Sequence, residues 1–376
     1  MKLCVVAPNG NIYSETFIHS HMHHLNVDTV NLVGEGSFFP QRVLNGKILH
    51  QPNIFQKASR RILEVSASNS QLIDKPKEQA LCNYLKQQKV DVVLAEYGPT
   101  GVAVSSACEN ARIPLVVHFH GYDAFQYSTV EKHKKGYARL FDRAALLIAA
   151  SQSMANQLCT IGASHDRIAV NHYGVNVSKF KGGDPSIAPP HFVAVGRFVE
   201  KKAPQLTVLA FQKVLEHVPS ARLTMIGDGP LLEACRQIIF ALNLEEQISL
   251  LGSRSPDEIV EHFKEARAFV QHSLRTSSGD SESLGVVFLE AGAMSLPSVG
   301  TKHDGIPEVI VEGETGLLVE EGNIQTYANH MITLAKDPQL AKTLGEAARQ
   351  RIERDFSEEK SLSNLHKILS SVVENR

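Results

Sequence analysis

Short apolar runs recur along the chain, separated by stretches whose apolar positions repeat at helical spacing. Residues 3–7 are continuously apolar and end at Pro8-Asn9-Gly10, the pattern of a strand buried on both faces and stopped by a turn. Similar runs fall at 29–33, 91–95, 115–118, 146–150 and 168–172. Helical patterns lie between several of them, at about 14–25, 75–89, 102–111, 131–143 and 152–161, with Ser14 placed to cap the first. Alternation of this kind predicts an α/β fold, a parallel sheet with helices on both faces.

Residues 181–190, KGGDPSIAPP, interrupt the pattern with two Gly and three Pro. Neither element continues through such a stretch, so it reads as a linker. The alternation then restarts. Strands are expected at 192–195, 222–226, 248–251, 268–271, 298–301 and 317–319. Helices are expected at 204–217, 230–241, 256–265, 286–296, 323–335, 338–353 and 357–373. The chain therefore divides into a first domain over 1–183, a second over 184–358 and a closing helix over 359–376 that could return to the first domain. In doubly wound sheets ligands bind outside the carboxyl ends of the strands, and two such halves facing each other make a cleft.

At 376 residues the chain is long for one core, which agrees with two domains. The charge, −2 overall, gives no global reason to expect nucleic acid. It is unevenly split, with 19 Lys and Arg against 14 Asp and Glu up to residue 185, and 19 against 26 beyond it. A basic first half suits an anionic acceptor or a membrane surface, and a chance difference between domains explains it as well. The five cysteines, with no C-x-x-C pair, point away from a disulfide framework or a zinc site and toward a reducing compartment. The apolar run at 3–7 is too short for a signal peptide core, and none reaches the ~18 residues that span a bilayer.

The chemistry concentrates in residues 276–305. A loop of small polar residues, 277–285, runs into the apolar segment from 286, and Pro297 stops that segment. A helix entered this way leaves backbone N–H groups unpaired and ready for an anion. Glu282 lies in the loop and Glu290 a little over one turn into the helix, so both reach one pocket. An acid at a helix start also has a plainer role, stabilising the helix dipole. Other polar loops follow strands too: Gly196 to Lys202, Gly227-Asp228-Gly229-Pro230, and His118 to Asp123.

Over roughly 190–320 the order and spacing of these pieces resemble the nucleotide-sugar-binding half of GT-B-fold retaining glycosyltransferases of family 4. The matching residues are Gly196, Arg197 and Lys202 of G-R-x4-K, GDGP at 227–230, Leu251-Gly252, and G-D-S-E-x7-E from Gly279 to Glu290. GIPE at 305–308 and ETGLLV at 314–319 complete the set. The first half is similar more loosely, through SETFI at 14–18, HFHGYDA at 118–124, and Tyr173-Gly174-Val175-Asn176 with Phe180. The resemblance implies two Rossmann-like domains facing across a cleft and a reaction that moves a sugar from a nucleotide-sugar to a glycan or lipid-linked acceptor. UDP-sugar is favoured over GDP-sugar because it is the commoner donor in the family. The sequence departs from the family pattern at Ser283, Ala203 and Ser295, each a common Gly. The Gly-rich first loop of many members is here Asn9-Gly10-Asn11.

Breaking an anomeric C–O bond builds negative charge on the leaving diphosphate, so fixed positive charge is the main requirement. Arg197 and Lys202 supply it if both point from one loop into the cleft, although a solvated pair is the plainer use of two such residues. The amides of Ser283, Leu284 and Gly285 add to it, so no metal or other cofactor is expected and Asp280-x-Glu282 is not read as a metal motif. By resemblance, Glu290 accepts from the ribose, Glu282 holds donor-sugar hydroxyls, and His120 donates to the sugar or shapes the acceptor side. Gly196, Gly227, Asp280 and, near the base, Gly252, Ser253 and Arg254 complete the donor site. Asn9, Gly10, Ser14, Glu15 and Asp123 fall on the acceptor side. Retention comes by same-face attack, or by double displacement through Glu282 or Asp123. Two other classes stay open, a nucleotide-sugar epimerase on the same fold and a non-catalytic binding subunit. The retained Arg197, Lys202, Glu282 and Glu290 weigh against both.

Two further features stand outside this set. His19, His21, His23 and His24 crowd one helix, with His19 and His23 at i, i+4, but a metal there needs acids that the sequence does not place nearby. The basic segments 57–61 and 132–143 read equally as solvated helix faces and as a peripheral contact with the inner face of an anionic membrane. The expected location is the cytoplasm, in solution or at that face.

Overall fold

The computed structural model describes residues 1–10, 16–49 and 70–375. Among these residues the first half builds a seven-stranded sheet from β1 (Lys2–Ala7), β2 (Asp28–Val33), β3 (Arg42–Val43), β4 (Val92–Glu96), β5 (Leu115–Phe119), β6 (Leu146–Ala149) and β7 (Ile168–Val170). Its helices are α1 (Thr16–His23), α2 (Ser70–Gln87), α3 (Gly98–Ala111), α4 (Tyr122–Phe125), α5 (Tyr127–Arg143) and α6 (Gln152–Thr160). The strand order is β3-β2-β1-β4-β5-β6-β7, and the pairs are parallel except for the short edge pair β2–β3.

The second half repeats the plan with six parallel strands. They are β8 (His191–Val195), β9 (Arg222–Ile226), β10 (Ile248–Leu250), β11 (Ala268–Val270), β12 (Ser298–Thr301) and β13 (Gly316–Val319), in the order β10-β9-β8-β11-β12-β13. The helices here are α7 (Pro204–Leu215), α8 (Leu232–Ala241), α9 (Pro256–Lys264), α10 (Val286–Ala293), α11 (Ile306–Val309), α12 (Ile324–Lys336), α13 (Pro338–Asp355) and α14 (Glu358–Glu374).

Both orders reverse direction once, at β1/β4 and at β8/β11. The loops leaving two such strands turn to opposite faces and leave a crevice between them. The strands at these points are the most apolar. Leu3, Cys4, Val5, Val6 and Ala7 are all buried, as a central parallel strand covered on both faces requires. Helix α10 is buried nearly all round, which only a helix packed between sheet and neighbouring helices tolerates.

Several contacts join the halves. Val175 N–H donates to Phe356 O and Glu358 N–H to Val175 O, each at 2.9 Å, so α14 starts against the first half. It then packs Leu365 and Leu369 into the core of Leu3, Val5, Ile18 and Met22. Glu308 of α11 sits on the start of α6, accepting from Gln152 N at 2.9 Å and Ser153 N at 3.0 Å, and its Oε2 also meets His172 Nε2 at 2.9 Å. The Arg275 guanidinium pairs with Asp304 and lies 5.5 Å from the ring centre of Phe125 in the first half.

The structure differs from the sequence reading in local detail. Helix α10 ends at Ala293 rather than 296. Ser295 there takes a left-handed conformation, φ 60°, and its N–H and that of Leu296 close the last turn onto Gly292 O and Ala291 O. The one-turn helices α4 and α11 and the two-residue strand β3 are too short to leave a periodic signal. Ser14 and Glu15, and the basic segment 57–61, lie outside the described residues.

The candidate active site

Three loops leave the carboxyl ends of neighbouring strands β8, β9 and β10 and lock together through backbone bonds. Gly196 N–H donates to Ile226 O, Gly227 N–H to Gly252 O, and Phe198 N–H to Asp228 O, each at 2.9 Å. Gly227 has φ +139°, and a Cβ there would lie 2.0 Å from Gly196 O, so only glycine fits. This stack presents the Gly196–Lys202 loop to the loop after β11.

Lys202 sits on a one-turn 3-10 segment, Glu200–Lys202, and reaches across the switch point. Its Nζ lies 2.5 Å from Glu282 Oε2 and donates to Gln271 Oε1 at 3.2 Å. The Glu282 contact is an ion pair without the alignment of a hydrogen bond. Burial pushes the Glu282 carboxyl up, but Lys202 and then Lys201 outweigh it and hold the group below its usual range. Arg197 is exposed on the same loop, at the mouth of a pocket lined by Gly196, Lys202, Thr207 and Gln271. Glu290 is half-buried on α10. Burial raises its carboxyl to about 7, against the opposing pull of Lys202 and Lys179.

The loop after β11 is braced from below by residues that the sequence reading passed over. Lys201 donates to Asp280 Oδ1 at 3.0 Å and to Ser281 O at 3.1 Å. Asp280, expected at the donor, is therefore engaged inside its own loop, where it also accepts from Ser281 N at 2.9 Å. His303 accepts from Glu282 N at 3.2 Å through Nε2, and its Nδ1 meets Glu321 Oε1 at 2.5 Å, which fixes the ring. Gly305 allows this close fit, since a Cβ there would lie 2.1 Å from Ser283 O. Leu284 turns its side chain into the core, leaving its backbone to the loop. Gly285 precedes the first residue of α10. Arg254 folds back onto its own segment, with Nε 3.6 Å from Glu258 and a bond to Ser253 O at 3.0 Å.

Opposite this loop stand the strand ends of the first half. Asn9 and Gly10 lie half-buried just past β1. Asp123 is fully buried, and its carboxylate accepts from Gly98 N at 2.9 Å, His120 N at 3.0 Å and Gly121 N at 2.8 Å. Those three bonds tie it to the backbone of the 118–124 loop and to Gly98 at the start of α3. His120 is buried with both ring nitrogens engaged: Nε2 lies 2.7 Å from Glu96 Oε2 and Nδ1 2.8 Å from the Tyr173 hydroxyl. The sequence reading left this imidazole either to donate to the sugar or to shape the acceptor side. The structure turns it inward, because Glu96 at the carboxyl end of β4 draws it there.

Glu96 is wholly buried and also takes His21 Nδ1 at 2.8 Å on Oε1. Burial pushes its carboxyl up, but His21 and His120 together hold it well below the carboxylate range. His118 lies beside the cluster, 3.8 Å from Glu96 Oε2, with neither ring nitrogen hydrogen-bonded. An acid directly after an apolar strand was the available signal for Glu96. The exposed His19 and His23 rings lie tilted at 43° with centroids 4.5 Å apart, and His24 pairs at 2.9 Å with Glu358, an acid 334 residues away in sequence.

Parallel-sheet halves that turn their switch points toward each other are the GT-B architecture, and the fold assigns the chain to that class. Residues 183–351 match the family model for glycosyl transferases group 1, and residues 57–179 that for glycosyltransferase family 4. The amylovoran biosynthesis glycosyltransferase AmsK of Erwinia amylovora is 30% identical over 75% of this chain and 70% of its own length. A putative colanic acid biosynthesis glycosyltransferase, WcaL of Salmonella typhimurium, is 27% identical over 78% and 74%. Among solved structures, Anabaena HepE in complex with UDP and glucose superposes with a TM-score of 0.75 at 19% identity, covering 99% of this chain and all of that one. Sucrose-phosphate synthase from Thermosynechococcus elongatus gives 0.77 at 16%, covering both chains completely. The chain belongs to this glycosyltransferase family.

Proposed function

We propose that the protein is a retaining glycosyltransferase that moves a hexose-type sugar from a UDP-sugar to a glycan or lipid-linked acceptor in exopolysaccharide synthesis. The observation that carries this reading is the convergence of Lys202, Glu282 and Glu290 at the β8/β11 switch point, beside the entry to α10. AmsK and WcaL, named for amylovoran and colanic acid biosynthesis, support the product class. HepE, with UDP and glucose, supports the donor class.

In this reading the diphosphate lies against Lys202, Arg197 and the backbone amides at 283–285. Lys202 then exchanges part of its pairing with Glu282 for the charge that develops on the leaving group. Glu282, freed toward the sugar, holds a hydroxyl and fixes the ring. Glu290 accepts from the ribose once ionised. These cations supply the positive charge without a metal. Asp123 is tied to three amides, which favours same-face attack over double displacement through that residue.

Among the described residues no helix is long and apolar enough to cross a membrane. The basic outer face of α5, with Lys132, Lys134, Lys135 and Arg139 exposed, suits contact with an anionic surface at the inner leaflet beside a lipid-linked acceptor.

The test is incubation of the purified protein with UDP-glucose, UDP-galactose, UDP-N-acetylglucosamine and GDP-mannose, with and without a polyprenyl-diphosphate sugar acceptor. Released nucleotide and the anomeric configuration of the product by proton NMR are followed. An inverted product would remove the retaining assignment. Release from the GDP-sugar alone would remove the UDP assignment.

A further inference from the structure

Gln271 is the first residue past β11, and its side chain is buried against Lys202 at the β8/β11 switch point. The two backbones are tied there, since Leu274 N–H donates to Lys201 O at 2.9 Å. The side chains meet beside Gly196, where a Cβ would lie 3.5 Å from Gln271 Oε1 and 3.6 Å from Lys202 Cε. Lys202 Nζ donates to Gln271 Oε1 at 3.2 Å, and Gln271 Nε2 donates to Ser273 Oγ at 2.7 Å. An ammonium only donates, so the amide must turn its oxygen toward it. Ser273 is itself fully buried, and its carbonyl accepts from Thr301 Oγ1 of β12 at 2.8 Å. Lys202 thus faces two acceptors of different kinds. Glu282 is charged and sits on a loop, while Gln271 is neutral and anchored on the sheet.

We propose that Gln271 is a positioning residue for Lys202, keeping its ammonium on the leaving diphosphate while the pairing with Glu282 loosens. The proposal rests on the reading above that Lys202 meets the diphosphate of the donor. A lysine stem is flexible, and an ammonium with Glu282 as its one partner would follow that carboxylate toward the sugar. A second acceptor fixed to the strand end holds it where the charge develops. Neutrality matters as much as position. An amide oxygen orders the ammonium without cancelling its charge, so the whole charge stays available to the transition state. A carboxylate at the same place would hold Lys202 harder and offset the charge that the reaction needs.

The experiment is steady-state turnover, by the full chain, of whichever of UDP-glucose, UDP-galactose, UDP-N-acetylglucosamine and GDP-mannose wild type uses. The variants are Gln271→Met, Gln271→Glu, Lys202→Ala and the double variant Gln271→Met/Lys202→Ala. Circular dichroism and a melting curve confirm that each is folded. Methionine fills the volume of glutamine and offers only a weak acceptor. Gln271→Met should lower kcat about tenfold, the scale of one hydrogen bond to a charged group, and change KM by about twofold or less. Gln271→Glu should lower kcat at least as far, although it keeps an acceptor in place. The double variant should turn over as slowly as Lys202→Ala alone, because the group that Gln271 places is gone. A residue that serves the fold alone would lower the melting temperature and leave kcat unchanged. Folded Gln271→Met with the kcat of wild type therefore overturns the proposal. So does Gln271→Glu as fast as wild type, or a loss that multiplies with that of Lys202→Ala. Each of these outcomes leaves the glycosyltransferase reading standing. If wild type turns over none of the four, the donor reading falls and this proposal with it. Should Gln271→Met fail to fold, Ser273→Ala frees the amide instead, and an unchanged kcat there overturns the proposal.

Discussion

Lys202 Nζ and Glu282 Oε2 stand 2.5 Å apart across the β8/β11 switch point, with side chains only 15% and 12% exposed. Two half-desolvated opposite charges hold each other in place, and each is also the group with most to offer a donor. Removing the cation has two separable effects. Lys202→Ala should lower kcat by about 10²–10³, as expected when one pre-placed charge-stabilising group is lost. It should also lower the melting temperature, because Glu282 keeps its burial and loses its counter-charge. Glu282→Gln should recover much of the melting temperature in the Lys202→Ala background and none of the turnover. Equal recovery of both would show that Lys202 serves the fold only.

Glu290 gives a pH signature. Its carboxyl is raised to about 7 by burial, so near neutrality the empty site holds a proton there about half the time. In the proposed function Glu290 accepts from donating ribose hydroxyls, so the nucleotide should prefer the ionised form and its binding should drive the proton off. Affinity for the UDP-sugar should therefore rise between pH 6 and pH 8 and level off above, with proton release that depends on buffer ionisation in calorimetry. A nucleotide-sugar serves better than free UDP, since its diphosphate has no terminal phosphate to titrate in this window. Glu290→Gln should bind more weakly at pH 8 and show no rise. A rise that survives in Glu290→Gln would assign the proton to another group.

Glu308 supplies a test of how the halves are joined. Burial pushes its carboxyl up, but His172 and the amides of Gln152 and Ser153 outweigh it and keep the group below its usual range. A carboxyl with a depressed folded pKa adds stability above its unfolded value and loses it as pH falls through the folded one. Wild type should lose stability on acidification below about pH 4.5 more steeply than Glu308→Gln, and the variant should already be weaker at pH 7 by about 1–2 kcal/mol, the scale of a lost helix cap. Thermal melts over pH 3–7 measure both. Parallel curves would mean that Glu308 adds nothing to the joint between the halves.

How much of this was legible in the sequence depends on distance along the chain. The strands of both halves, the two-residue β3 apart, were readable because each is a local apolar run, and the linker because Gly and Pro cluster within ten residues. Lys202, Glu282 and Glu290 were readable as a set because their order and spacing match a known family. Glu96, His303 and Lys201 carry no such signal. Their roles come from partners that the fold brings together, as His303 meets Glu321 and His120 meets Tyr173 across 53 residues. His120 shows the limit most plainly. Its position past a strand end left open whether it meets the sugar or shapes the acceptor side, and only the fold shows both ring nitrogens taken by Glu96 and Tyr173. Asp123 likewise follows a strand, yet three backbone amides take its carboxylate before any ligand could.

His118 yields the last prediction, and its sign is opposite to the usual one for a fully buried polar residue. Both of its ring nitrogens lack a hydrogen bond, and burial first, then His120, hold its imidazole well below the ordinary range, so it sits neutral in the core. The unfolded chain takes up a proton at this side chain below about pH 6.5, and the folded chain does not. The unfolded state thus binds more protons, and stability falls as pH drops through that value. A buried polar group without partners costs about 1–3 kcal/mol of desolvation. His118→Phe keeps an aromatic ring for the stack with His21 and His120 and removes both costs. Urea unfolding should show the variant as stable as wild type or more so at pH 7.5, with the gap widening toward pH 5.5. Glu96 keeps its bonds to His21 and His120 in the variant, so nucleotide affinity should hold. A loss of stability above about 2 kcal/mol at pH 7.5 would mean that the His118 nitrogens have partners in the folded protein.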